Sequence, residues 1–265
     1  MKHRKTGARK KAGGGRLRRA LPAVLLGLLV LAGWEGAVRL FGIPSFLLPG
    51  PVEIAGAFWE ARALLLEHSI PTAFEAIVGF LCAAVTGVVS GFLINRSALM
   101  ERALYPWLVA SQAVPIIALA PVLVTWFGYG PVPKVIVVTL FCFFPITVAT
   151  ADGLRSIDPE LIRLMRSFGA TGWRVFSMVE VPGALPFLFG GFRLAVTYCV
   201  IGAVTGEWVG SSEGLGFLIN ADKSQFEIAR LFAEIGILSF MGVGLFLLVA
   251  GLQRLVAPWT LRRNG

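Results

Sequence analysis

The 265-residue chain is 56% hydrophobic and 15% charged, with a mean hydropathy of +0.78. A chain this apolar cannot hide its surface inside one water-facing globule, which excludes a soluble domain and makes lipid the solvent for much of it. The net charge of +9 does not mark a nucleic-acid binder: nine of the 24 Lys/Arg lie in residues 1–19, and the remaining fifteen match the fifteen acidic residues. A basic tail directly before an apolar run fits membrane lipid and an inside N-terminus, with no nucleic-acid partner.

In chain order, residues 1–19 are this basic cytoplasmic tail and 20–41 the first transmembrane helix. Glu35 and Arg39, four residues apart near its far end, share a face and can pair. Arg18 and Arg19 also fit a twin-arginine signal, but no small-x-small cleavage site follows. The extracytoplasmic segment 42–68 carries Pro44, Pro49, Pro51 and several charges and is too broken to span; after Val52 its spacing suggests an external, interfacial helix. Residues 69–258 hold five further spans, at about 72–95, 104–127, 132–151, 186–209 and 231–256, before a cytoplasmic C-terminus at 259–265. Pro115 and Pro121 should kink the third span, and residues 128–131 turn tightly into the fourth. Cys82, Cys142 and Cys199 lie within apolar runs without metal spacing, and His3 and His68 are isolated, so neither a disulfide framework nor a metal centre is indicated.

Alternating sides from an inside N-terminus places eighteen Lys/Arg inside and five outside, namely Arg39, Arg62, Lys134, Lys223 and Arg230, with Arg193 unassigned. That bias puts both termini in the cytoplasm, together with loop 152–185. Glu207 falls at the outer end of the fifth span, close to water, and Glu75 and Glu234 fall within about a turn of outer ends. Residues 211–227 read as an external re-entrant or gate element. Ser111, Gln112, Pro115 and Pro121 on the third span and Glu207 on the fifth are candidate residues of a translocation path.

Loop 152–185 has legible local chemistry. Asp158 is a good N-cap, Pro159 fits the first helical position, and Gly169 stands where a helix of about ten residues would end in a left-handed residue. Thr171 can cap a second short helix, which Pro182 then ends. The expectation is helix, glycine corner, helix, between two spans. Arg163 and Arg166 share one face of the first helix and can meet acidic groups on a partner or lipid headgroups.

The spacing of this loop resembles the EAA signature of ABC-importer permeases. Gly169 takes the glycine position and Val179, Val181 and Pro182 the closing positions, while Arg163, Leu164 and Met165 stand where the signature has Glu-Ala-Ala. The resemblance extends through 114–121, 126–130, 152–156, 206–210 and 214–216, and looks like the nitrate/sulfonate/taurine branch, with Gly206, Glu207 and Trp208 most similar to permeases for thiamine-precursor pyrimidines. It implies an all-α, six-span permease fold of the type I ABC-importer kind. It also implies an importer of a small organic solute that works by alternating access. The resemblance further implies that residues 163–166, 169, 179, 181 and 182 couple it to a partner ATPase dimer. A second copy of the chain and an extracytoplasmic solute-binding protein complete the implied assembly. No cofactor belongs to this chain, ATP and Mg being bound by the ATPase, and the chain is not itself an enzyme. In keeping with this, no Gly-rich phosphate loop is present. The alternative, an ATPase-independent secondary transporter or channel, would show a relay of ionisable residues at mid-membrane depth, which the sequence does not display.

Overall fold

The structure is a computed structural model that describes residues 14–259, with side chains from residue 21 onward except at 98 and 111. Most of the basic tail, with Arg262 and Arg263, lies outside the described residues. Among those described, every regular element is helical: α1 (Gly14–Phe41), α2 (Pro51–Glu60), α3 (Arg62–Arg96), α4 (Ala98–Ala113), α5 (Ile116–Phe127), α6 (Pro131–Arg155), α7 (Pro159–Ser167), α8 (Gly172–Val175), a π turn (Phe176–Glu180), α9 (Val181–Glu207), α10 (Leu215–Gln225) and α11 (Ile228–Val256).

The core is α6 wedged between α3 and α9, and sequence spacing explains why these three meet. On α3, Gly79, Ala83, Gly87 and Gly91 recur every four residues and form one smooth ridge. On α6, Lys134, Val138, Cys142, Ile146 and Thr150 follow the same period, as do Gly191, Ala195, Cys199 and Ala203 on α9. Small residues at this spacing let helix backbones approach where lipid offers no hydrophobic drive between helices. A Cβ at Gly91 would lie 2.7 Å from the Thr147 carbonyl, and one at Gly191 would lie 3.0 Å from that of Pro145. Gly190, one residue away, has open space instead. Cys142 and Cys199 are buried in this seam as packing residues.

Five described helices are long and apolar enough to cross a membrane: residues 21–41, 62–96, 131–155, 172–207 and 228–256. The expected third span is not one kinked helix but two, α4 and α5, broken at Val114 and Pro115. Pro115 disfavours the helical conformation of the residue before it and offers no N–H, so the chain restarts with Pro115 as the N-cap of α5. Pro121, by contrast, stays inside α5. An ion pair of 2.7 Å between Glu101 and Arg155 ties the start of α4 to the last turn of α6.

Three further expectations need correction. Segment 42–68 is less broken than its charges suggest: α3 already starts at Arg62, because Glu67 and His68 are ordinary helix residues on a helix that projects past the apolar run. Pro182 does not end the helix that begins at Gly172. Val181 N–H donates to the Phe176 carbonyl five residues back, and this wide π register lets the proline ring enter without striking the preceding turn, so the helix runs on to Glu207. Lys134, counted among the outer cations, is not at the water-facing surface but buried in the first turn of α6.

Candidate functional site

Three places carry chemistry: a helix pair at one end of the bundle, a cavity along α6 and α9, and a polar cluster at the other end.

At the first end, Asp158 caps α7 by accepting a 2.8 Å bond from Glu160 N–H. The helix closes with paired bonds from Gly169 N–H to the Arg166 carbonyl (2.9 Å) and Ala170 N–H to the Met165 carbonyl (3.1 Å). This double closure needs a left-handed residue, and Gly169 has φ +77°. Thr171 occupies the N-cap position of α8 in an extended conformation, but its side chain makes no capping bond. Helix α7 buries no residue completely in this chain. Leu161, Leu164 and Phe168, at i, i+3 and i+7, form an apolar face exposed by 44%, 52% and 81%, while Arg163 and Arg166 lie exposed on the polar side and Met165 is half-buried. Trp173 on α8, also exposed, packs at a tilt against Phe176, whose ring centre lies 5.3 Å from that of Phe92 on α3. Val175 and Val179 are buried beneath it, whereas Val181 is exposed and Pro182 half-buried where the turn enters α9. Among the described residues nothing covers the α7 face, and the adjoining α8 is joined through Phe176 to α3 and through continuous helix to α9.

The cavity has a volume of about 910 Å³ and is bounded by the α4–α5 break, α6 and α9. Phe141, Phe144, Phe187 and Tyr198 supply its aromatic walls, and Gln112 and Asp152 its strongly polar groups; among the described residues no Lys or Arg lines it. Of the expected path residues, Gln112 lines this cavity and Pro115 makes the break at its rim. Pro121 and Glu207 do not line it, and the side chain of Ser111 lies outside the described residues.

At the opposite end, Glu207 is not close to water but 1% exposed, and the sequence reading missed what surrounds it. Its Oε1 accepts from the Thr72 hydroxyl (2.6 Å) and its Oε2 from Gly216 N–H (2.5 Å). Thr72 Oγ1 accepts from Leu215 N–H (2.8 Å), and His68 Nδ1 from Gly214 N–H (3.1 Å). These three N–H groups open α10, whose N-cap is Gly214 and so has no side chain of its own to cap with. The cap comes instead from α3 and α9, with a carboxylate set against the positive end of the helix. Gly214 has φ +102°, and a Cβ there would overlap the Glu207 carboxylate. Lys134 Nζ, 2.6 Å from Glu75 Oε1, supplies the cation of this cluster. At the far end of α10, Asp222 is held by both Nε and an Nη of Arg230 (2.5 Å each), with Glu234 buried beside them. Spacing gave one local hint, Thr72 and Glu75 on one helical face; their convergence with residues 135 and 59 positions away had no signal within any single element.

Residues 77–262 match the family of binding-protein-dependent transport system inner membrane components. The chain is 39% identical to the formylaminopyrimidine transport permease ThiX of Halalkalibacterium halodurans, over 91% of this chain and 96% of that one. It is 39% identical to the riboflavin transport system permease RibX of Chloroflexus aurantiacus, over 90% and 89%. In fold it is similar to a subunit of the MetNI methionine ABC transporter solved in inward-facing conformations, with a TM-score of 0.64 at 20% identity, over 74% of this chain and 98% of that one.

Proposed function

The chain belongs to the family of binding-protein-dependent transport inner membrane components and is a permease subunit of an ABC importer; on that premise we propose how it is driven and what it carries. The drive enters through α7 and α8, which dock an ATPase subunit with Leu161, Leu164 and Phe168 seated in it and Arg163 and Arg166 at the rim. The observation that carries this reading is the apolar face of α7, which none of the described residues covers. The π turn and the Phe176–Phe92 contact would pass a displacement of that helix pair to α9 and α3. The α7 end is then cytoplasmic, as are both termini, and α10 faces outward, where a solute-binding protein delivers its load. Two copies of the chain face each other and enclose the route. No cofactor is held by this chain, ATP and Mg residing on the partner.

The solute is a flat, uncharged heteroaromatic compound of the vitamin-precursor class. Aromatic cavity walls suit ring stacking and the Gln112 amide suits ring nitrogens, whereas a sulfonate would require a cation, and Asp152 would repel it. Two measurements test these readings. Leu164→Asp with Phe168→Asp should abolish co-purification of the ATPase while the permease remains in the membrane; a transporter that is active without any ATPase sinks the reading. Mass spectrometry of ligand released from the cognate binding protein should find a pyrimidine-like or related ring compound; an alkanesulfonate would refute the solute assignment.

A further inference from the structure

Helix α5 is framed by the Pro115 break and by a corner with two left-handed glycines, Gly128 (φ +77°) and Gly130 (φ +142°), and it buries Ala120 and Leu123. Ile116 and Leu119 on its flank line the solute cavity. Seven residues on, Trp126 returns to within about 20° of Leu119 around the helix and stands about 10 Å nearer the α10 end. Its side chain is 72% exposed. On this helix the cavity lining stops at Leu119, so Trp126 is the first aromatic group beyond the lined volume, on the flank that borders it.

Two observations separate Trp126 from a tryptophan that merely anchors a span in the headgroup layer. The first is its side of the helix, which is the cavity flank. The second is how the end of α5 is held. The Tyr129 ring lies on the backbone of Gly210, where a Cβ would come 2.7 Å from a ring carbon. Val209 packs against the buried cluster of Ala120, Leu123 and Val137. Both residues belong to the short loop that leaves α9 and leads into α10. A displacement of α9 therefore reaches Trp126 through the loop that α9 carries.

We propose that Trp126 is the outer gate of the solute route, closing the α10 end of the cavity by packing against the partner's Trp126. A residue beside a two-fold axis meets its own copy, so one tryptophan per chain supplies both halves of the plug. Two indoles bury a large apolar area and exclude water, while each N–H can stay at the wet rim. The rings part when the ATPases close and α9 moves. The gate rests on the reading that two copies face each other, and not on the identity of the solute.

The test uses the intact transporter in nanodiscs, with Trp126→Cys placed in a Cys82→Ser background and treated with a short bismaleimide. Co-purification of tagged and untagged permease is measured first, which checks the two-copy reading separately; if the copies do not associate, both readings fall. Without nucleotide, Trp126→Cys should give cross-linked permease dimers, and trapping with ATP and vanadate should lower the yield several-fold. Trp126→Ala, which leaves the outer end unplugged, should raise ATP hydrolysis in the absence of solute several-fold, and Trp126→Phe should raise it less. Associated copies that give no cross-link, or an equal yield in both states, overturn the proposal. So does full labelling of Trp126→Cys by a lipid-soluble maleimide without nucleotide, which would place the side chain in lipid, or hydrolysis by Trp126→Ala equal to wild type.

Discussion

Helices α7 and α10 have nine and eleven residues, and each follows a turn out of a long span, yet their ends are satisfied in opposite ways. Helix α7 caps itself: Asp158 closes its start, Gly169 its finish, and it buries nothing completely. Helix α10 begins at a glycine that caps nothing and borrows its cap from Thr72, His68 and Glu207 on two spans. A helix complete in itself can present its free face to another protein and still be a helix when that protein is absent. A helix finished by its neighbours is part of the body that finishes it, and moves with that body.

This contrast can be broken by substitution, and the largest effect falls at the borrowed cap. Lys134→Met removes the cation paired with Glu75, leaving a buried carboxylate uncompensated at a cost of about 3–5 kcal/mol. Thermal unfolding in detergent should show a large fall in Tm; an unchanged Tm would mean that the pair is not buried as described. Glu207→Ala leaves Gly216 N–H without its acceptor, while the Thr72 hydroxyl keeps the His68 carbonyl, and should cost about 1–3 kcal/mol. It should also speed protease cutting between α9 and α10. The matching change at the other end, Asp158→Ala, should cost about 1 kcal/mol of α7 stability, with the global Tm barely moved.

Gly169→Ala has room for its methyl group but not the backbone for it, since φ is +77°. A strain of about 1–2 kcal/mol should fray the end of α7 and lower ATPase-coupled uptake, whereas Gly169→Asn, which tolerates that conformation, should retain more uptake than Ala. Equal uptake in both variants would show that the corner geometry does not matter for coupling. The smallest effect belongs to the exposed pair of Glu35 and Arg39, 2.6 Å apart with the arginine 68% exposed. Arg39→Ala should change the Tm by an amount equivalent to less than about 1 kcal/mol.

The same contrast explains what the sequence could disclose. Asp158, Pro159 and Gly169 act within a dozen residues, so their cap and corner were readable from spacing. The spans were readable too, because apolar length is a property of a continuous segment. The cap of α10 joins Thr72 to Leu215 across 143 positions, and no local pattern announces such a bond. The burial of Lys134 was hidden for a related reason: one lysine just after a tight turn reads as an interfacial residue until Glu75, 59 positions away, is found against it. The break at Pro115 was half legible, since proline marks the position while neighbouring helices decide between a kink and a break.

Hydrogen exchange on the permease alone and in complex with its ATPase tests the central claim most directly. The amides of 160–176 should exchange readily alone and become strongly protected in the complex, while those of Leu215 and Gly216 stay slow in both. Unchanged exchange in α7, or protection gained at α10 instead, would contradict the assignment of α7 as the helix made for another protein.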